Sequence, residues 1–254
     1  MTYEVFNLST GRMASVRQSQ LDAGVDLVDK NVGSVKCNIC GYESDLQFLD
    51  MHGRKNEICP NCKSIKRNRY IYFYLTHFTD FLDGKPRVLH TAPENGIFER
   101  LDDLCGDDYI TSDVKRFSPK VKELVDIQDI PFDDNYFDFI ISSHVMEHVP
   151  DDFKALSEFY RVLKPGGMAL ILIPALRFMS DTFEQEQINT PSLRTRYYKQ
   201  FDHLRYYSVK DFFDRMESVG FRVLRDHENI IKKKYPSAIE RHRMGFDPLF
   251  VGIK

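Results

Sequence analysis

The chain has 254 residues, of which 42% are hydrophobic and 29% charged, and its formal net charge is −3. This length allows one large domain or one domain with a small appendage, and the slight negative charge argues against a nonspecific nucleic-acid binder. The longest apolar stretch, 168–176, is far shorter than the ~20 residues of a membrane helix, so we expect no membrane association.

Residues 1–33 are polar and mixed, and we treat them as an N-terminal extension with a short helix at 15–28. The lack of an apolar segment at this end predicts no signal peptide. Together with the cysteine pattern that follows, it favours the reducing cytoplasm as the location of the protein.

Four cysteines form the most informative pattern of the sequence. Cys37 and Cys40 are two residues apart, 18 residues follow, and Cys59 and Cys62 are again two apart. Each pair places two thiolates on one tight turn, and two such turns complete a tetrahedral site for Zn²⁺. Because four cysteines leave no position for water, the zinc is expected to be structural. The sequence thus predicts a zinc ribbon at 34–63, with two disulfides or four free thiols as the alternatives.

The remaining residues, 64–254, alternate between helix and strand signals. We expect strands at 87–91, 109–112, 123–127, 137–142, 168–173, 221–225 and 249–253, and helices at 65–82, 96–104, 151–163 and 208–220, the last with Ser208 as its N-cap. This alternation is typical of an α/β fold with a doubly wound parallel sheet. Two polar and aromatic insertions, 174–207 and 226–248, interrupt it, and such insertions commonly form lids or substrate walls. In the second insertion, we expect the basic run 232–234 to be a solvated loop, with a binding patch as the alternative.

The carboxyl ends of the strands are where such a sheet binds its ligand. Asp113 ends the second predicted strand, 17 residues after Gly96. This is close to the offset at which a carboxylate binds a ribose diol in dinucleotide-binding folds. The loop 88–96 contains one glycine, whereas a pyrophosphate needs several close backbone N–H groups. The pattern therefore favours a ribose-bearing ligand without a pyrophosphate.

Three segments together resemble the class I S-adenosylmethionine-dependent methyltransferases of the type 11 group. They are 126–127, the run FDFIISSHVMEHVPD at 137–151 and the run YRVLKPGG at 160–167. The resemblance covers about residues 85–254 and is most specific over 131–173. More narrowly, the second cysteine pair and the loop 89–94 are similar to those of bacterial zinc-ribbon methyltransferases.

The resemblance implies a Rossmann-like, seven-stranded sheet whose last strand is antiparallel, and S-adenosylmethionine as the cofactor. It also implies a role for four residues. Asp113 would bind the ribose hydroxyls, Asp126 and Ile127 would border the adenine, and His144 would lie beside the methionine end of the cofactor.

The first loop departs from the family pattern. Where the family has an acidic residue and a Gly-x-Gly-x-Gly loop, this chain has His90, Ala92, Glu94 and Gly96. Ala92 is a mild change, whereas the carboxylate of Glu94 would either clash with the cofactor or bind its amino group or sulfonium. We count these four residues as candidate cofactor contacts.

Histidines are the candidates for catalysis, because transfer to a hydroxyl or a protonated amine needs a general base of near-neutral pKa. His203 is the first candidate, and a structural pairing with Asp202 is its alternative. His148 is the second, with Glu147 as an orienting partner, and bracing of the following helix is its alternative.

Two further residues are expected to contact the substrate. Arg205 and Tyr207 would share one face with His203 in an extended segment. Arg205 would then steer an anionic or hydroxyl-rich acceptor.

Three functions are compatible with these observations. The first is methyl transfer to a small-molecule or saccharide-like acceptor, supported by the aromatic residues of the 174–207 insertion. The second is RNA methylation guided by the zinc ribbon, against which the negative net charge speaks. The third is a noncatalytic scaffold that has lost its cofactor.

Overall fold

A computed structural model describes residues 34–45, 47–245 and 247–254 fully, and the backbone of two earlier strands. The chain forms two compact units. The first, the ribbon unit, comprises Met1–Lys85, Glu94–Gly106 and Asp226–Phe246, and the second, the sheet unit, comprises Pro86–Pro93, Asp107–Arg225 and Asp247–Lys254.

The strands and helices are as follows, in chain order. The strands are β1 (Thr2–Asn7), β2 (Arg12–Arg17), β3 (Val35–Lys36), β4 (Glu43–Ser44), β5 (Leu49–Met51), β6 (Arg54–Ile58), β7 (Val88–Thr91), β8 (Tyr109–Asp113), β9 (Glu123–Leu124), β10 (Phe137–Ser143), β11 (Leu163–Leu172), β12 (Ala175–Leu176), β13 (Tyr207–Ser208), β14 (Arg222–Val223) and β15 (Leu249–Ile253). The helices are α1 (Lys66–Phe78), α2 (Ile97–Cys105), α3 (Asp152–Val162), α4 (Pro191–Tyr198), α5 (Val209–Ser218), α6 (His227–Lys234) and α7 (Pro236–Arg241).

The sheet unit is built on seven strands in the order β14-β15-β11-β10-β7-β8-β9. Neighbours from β11 to β9 are parallel, whereas β15 is antiparallel to both β11 and β14. The predicted Rossmann-like fold, with seven strands and the last one antiparallel, is therefore confirmed.

Helices α3 and α5 supply much of the apolar core of this unit. Leu156 and Phe159 of α3, and Phe212 and Met216 of α5, are completely buried. Both helices begin with a side-chain cap, since Asp151 accepts from the backbone N–H of Lys154 and Ser208 accepts from that of Asp211. The predicted cap at Ser208 is thus confirmed.

The ribbon unit joins two hairpins, β3–β4 and β5–β6, to the helices α1, α2, α6 and α7. Arg69 of α1 is fully buried and links three of its segments. Its guanidinium donates to the carbonyls of Ser64 at 2.6 Å, His242 at 2.7 Å and Arg243 at 2.8 Å. Burying a charged side chain is costly unless its donors are satisfied, so these bonds fix the three segments together.

Three expectations for single elements differ from the structure. Strand β2 occupies Arg12–Arg17, so the helix predicted at 15–28 is wrong at its start, and its later part lies outside the described residues. Helix α1 ends at Phe78 instead of residue 82. The basic run 232–234, predicted as a loop, belongs to α6.

Among the residues that the structure describes, no helix is both long and apolar enough to span a bilayer.

Candidate functional site

The four cysteines of the ribbon converge on one point. The Sγ atoms of Cys37 and Cys62 are 3.7 Å apart, as are those of Cys40 and Cys59, and all four lie within 4.8 Å of one another. A tetrahedral cation with ~2.3 Å bonds to sulfur separates its ligands by about 3.8 Å. The cluster therefore fits a metal ion, and no disulfide joins these cysteines.

Polar groups surround the cysteine cluster. The Ser64 hydroxyl lies 3.4 Å from the Cys37 sulfur and 3.2 Å from the Cys62 sulfur. Hydrogen bonds from Cys59 and Cys62 lower the pKa of the Cys37 thiol, and burial acts against them. Burial lowers the pKa of Arg69, and the nearby thiolates partly offset this effect. A positive group and a hydroxyl beside thiolates are suitable outer partners for a metal centre.

The carboxyl ends of β7, β8 and β10 lie at one edge of the sheet, because these strands are parallel neighbours. Asp113 ends β8 there and is partly exposed, and its carboxylate accepts from the backbone N–H of Val114 at 2.7 Å. Burial raises the pKa of Asp113, and hydrogen bonds from the backbone N–H groups of Val114 and Lys115 act against this effect.

The loop after β7 contains a strained residue. Ala92 has φ +50°, in the left-handed region that favours glycine, and its N–H donates to the carbonyl of Ser112 at 2.7 Å. His90 is completely buried, and its Nδ1 lies 2.6 Å from the hydroxyl of Tyr109. The loop therefore keeps a glycine-like backbone at Ala92, whereas His90 is engaged within the sheet.

Glu94 and Gly96, the other two loop candidates, belong to the ribbon unit. The carboxylate of Glu94 accepts from Arg67 Nε at 2.9 Å and from Asn68 Nδ2 at 2.6 Å. Gly96 has φ +80°, and a Cβ placed there would lie 2.6 Å from that of Ser64. Within this unit, both residues have structural partners that the sequence did not indicate.

The two candidate adenine neighbours follow β9. Asp126 is exposed and accepts from the backbone N–H of Gln128 at 2.9 Å. Ile127 is buried and packs in the core cluster that also contains Met146.

The candidate histidines lie together in the sheet unit. His148 and His203 have ring centroids 4.8 Å apart at 81°. The buried carboxylate of Glu147 has Oε1 at 4.0 Å from His203 Nε2 and at 3.1 Å from His144 Nδ1. Burial lowers the pKa of His203, while Glu147 acts to raise it. The two rival bases therefore share one cluster.

The acidic partners of the histidines differ from the expected ones. Glu147, expected to orient His148, lies instead between His144 and His203. Asp202, the expected structural partner of His203, has Oδ2 at 3.4 Å from His148 Nδ1. The sequence contained no signal for this exchange, since it depends on how residues 202–203 approach 147–148.

Arg205 and Tyr207 are both buried. The Arg205 guanidinium donates to Glu184 at 2.6 Å and to the carbonyl of Pro150 at 3.0 Å, and also binds the carbonyl of Val149 at 2.5 Å. The Tyr207 hydroxyl donates to Asp152 at 2.7 Å. These bonds hold the segment 146–152 against the end of the 174–207 insertion.

A family model described as a methyltransferase domain matches residues 99–171. The match covers less than a third of the chain, and it agrees with the Rossmann-like methyltransferase fold that the strand order gives.

Two curated relatives match parts of the chain. A demethylmenaquinone methyltransferase of Staphylococcus carnosus is 39% identical over 77 residues, which are 28% of this chain and 32% of the relative. A ubiquinone/menaquinone biosynthesis C-methyltransferase of Vibrio cholerae is 51% identical over 45 residues, or 18% and 17% of the two chains. The chain thus covers a third or less of the length of these relatives.

Among solved structures, a SAM-dependent methyltransferase from Archaeoglobus fulgidus is similar to this chain with a TM-score of 0.47 and 20% identity. The similarity covers 74% of this chain and 94% of that one.

Proposed function

We propose that this protein transfers a methyl group from S-adenosylmethionine to a small-molecule or saccharide-like acceptor, at oxygen or nitrogen. The observation that carries the proposal is the carboxyl edge of the sheet, where Asp113 ends β8, and His148, which packs on His203, comes shortly after β10. The match of residues 99–171 to a methyltransferase domain supports the same activity.

The residues at this edge fit the cofactor. Asp113 would bind the ribose hydroxyls, and the left-handed backbone at Ala92 would bring the first loop close to the cofactor, as a glycine does. Asp126 and Ile127 would border the adenine, and His144 would lie at the methionine end. The cofactor would supply an activated methyl group, and the protein would align it with the acceptor.

The acceptor class is proposed from the 174–207 insertion. Phe178 and Phe201 expose 84% and 60% of their surface, while Phe183 packs on Tyr198 at 5.6 Å. Exposed rings on a supported scaffold can stack on a sugar or ring face. The named relatives act on quinone precursors, but the matching segments are too short to carry that acceptor over to this chain.

The basic residues that follow the ribbon do not favour an RNA acceptor. Arg67 binds Glu94, Arg69 is buried, and Lys66 donates to the carbonyl of Lys55 at 2.7 Å. These three cations therefore have partners within the protein. Binding of tRNA with a steep salt dependence, together with its methylation, would overturn the small-molecule assignment.

We also propose that zinc fills the cysteine cluster, because the four sulfurs match a tetrahedral S₄ site in type and spacing. Its role would be structural, since cysteines occupy all four positions.

Calorimetry with S-adenosylmethionine tests the proposed activity. Asp113→Ala should weaken binding at least about tenfold, because it removes charge-assisted hydrogen bonds to the ribose. Asp107→Ala is the matched control, since Asp107 is exposed and precedes β8. Equal affinity of the parent and Asp113→Ala would refute the ribose assignment, and no binding by the parent would favour the scaffold alternative.

Turnover measurements test the histidines. His203→Ala and His148→Ala, compared side by side, should lower turnover by ~10²–10⁴ where the residue acts as the base, while cofactor affinity is unchanged. Normal turnover in both variants would show that the reaction needs no histidine base.

A further inference from the structure

We infer that Glu147, His148 and His203 form a second metal site, which binds a divalent transition-metal ion. One ligand atom from each of the three side chains lies within 4.8 Å of the others. Two imidazoles and one carboxylate are a ligand set of open metal sites, in which the remaining positions are left to water or substrate.

Glu147 provides the first argument. Its side chain is completely buried, and within the described part of the chain neither carboxylate oxygen has a partner in hydrogen-bond geometry. His144 Nδ1 lies 3.1 Å from Oε1 but outside that geometry. Burying a carboxylate without hydrogen-bond donors costs free energy, and a bound cation would offset this cost.

The second argument is the orientation of the two imidazoles. His203 Nδ1 lies 3.1 Å from the carbonyl of Tyr198. Because a carbonyl can only accept, the neutral ring carries its proton on Nδ1 and keeps the Nε2 lone pair, which lies on the side of Glu147.

His148 has an equivalent outer partner. Its Nδ1 lies 3.4 Å from the carboxylate of Asp202. Histidines that bind metals commonly donate their second ring N–H to a carboxylate or a backbone carbonyl. The cluster thus contains both kinds of outer partner, one for each imidazole.

The backbone holds the three ligands in place. The N–H of Leu204, next to His203, donates to the carbonyl of Glu147 at 2.8 Å.

The spacing of the ligand atoms is close to what a cation needs. Two ligands bound to one cation at ~2.1 Å lie about 3.0–3.4 Å apart. The ligand atoms lie within 4.8 Å of one another, with 4.0 Å between His203 Nε2 and Glu147 Oε1. They would therefore move together by up to about 1.5 Å on binding.

The site has a chemical use in the proposed reaction, although its existence does not depend on it. A cation at this edge of the sheet would bind an acceptor hydroxyl and lower its pKa. The histidines would then act on the acceptor through the cation.

Manganese binding tests the site. Mn²⁺ is the probe, because a thiolate cage disfavours it and the ribbon would keep its zinc. Titration of the full, zinc-loaded protein, followed by the loss of the free-Mn²⁺ electron paramagnetic resonance signal, should give one bound ion per chain. Glu147→Gln and His203→Gln should each weaken binding tenfold or more.

His52→Gln is the matched control, since His52 is exposed and outside the cluster. It should bind Mn²⁺ like the parent. If Glu147→Gln fails to fold, the partly exposed His148→Gln makes the same test. No saturable binding by the parent, or parental affinity in the cluster variants, would overturn the site. Neither S-adenosylmethionine nor an acceptor is needed, so the result is independent of the proposed activity.

Discussion

At the scale of single residues, Ala92 shows how the first loop combines a glycine-like backbone with an alanine side chain. Its backbone has φ +50°, a conformation that costs an L-residue roughly 1–2 kcal/mol. The hydrogen bond from its N–H to Ser112 fixes the turn in that conformation.

Ala92→Gly should therefore leave the free energy of unfolding unchanged or raise it by up to about 1 kcal/mol, since relief of strain competes with greater unfolded-state entropy. Ala92→Val should lower it by more than about 1 kcal/mol, because a β-branched residue tolerates positive φ poorly. Urea denaturation of the three proteins checks both. A Val variant as stable as the parent would contradict the strained backbone.

Glu158 is the second informative residue. It accepts from Arg161 at 2.7 Å and from the backbone N–H of Ile130 at 2.8 Å, and Arg161 also donates to the carbonyls of Ile130 and Phe132. The hydrogen bond from Arg161 is the main cause that lowers the pKa of Glu158.

A carboxyl with a lowered pKa stabilises the fold above its unfolded value, and this contribution disappears as the pH falls through the folded value. Glu158→Gln should therefore be about 1 kcal/mol less stable than the parent at pH 7. The difference should shrink below about pH 4.5. Thermal unfolding at a series of pH values measures it, and a constant difference down to pH 3 would contradict the ionic contribution.

At the scale of elements, we expect the ribbon to depend on the proposed zinc, because some thirty residues cannot bury enough apolar surface to fold alone. Cys59→Ser should reduce the zinc content from one per chain to nearly none and increase amide exchange over 34–63. Cys105→Ser is the control, as Cys105 is buried outside the cluster. A fresh, reduced parent without zinc in elemental analysis would refute the prediction.

The elements that sequence patterns predicted well are those defined locally. The cysteine spacing, the cap at Ser208 and the alternation of strands are read within short windows, and the structure has the sulfur cluster, the cap and the sheet. The contact of Glu94 with Arg67 joins residues 27 positions apart. The exchange of acidic partners between His148 and His203 likewise depends on packing. Patterns within short stretches of sequence do not predict such contacts between distant residues.

At the scale of the whole molecule, the two units should respond differently to zinc removal. In the ribbon unit, Arg69 binds the carbonyls of His242 and Arg243, and the imidazole of His242 contacts the carbonyl of Lys36 at 2.9 Å. Loss of the ribbon should therefore also loosen residues 226–246.

Hydrogen exchange with and without a chelator measures this response. Protection should fall over 34–85 and 226–246, whereas β10 and β11 of the sheet should keep theirs. If exchange over 226–246 does not change, or if β10 and β11 lose as much protection as the ribbon unit, the prediction that the two units respond differently is wrong.

The position of β15 between β14 and β11 has a consequence for biosynthesis. In chain order, the cysteines precede the helices α6 and α7 and the strand that fills the gap beside β11, so ribosomes release them first. Until then, β11 presents an open hydrogen-bonding edge, and β14 lacks the neighbour it pairs with. The nascent chain therefore passes through a stage at which an apolar strand edge is open to pairing with other chains.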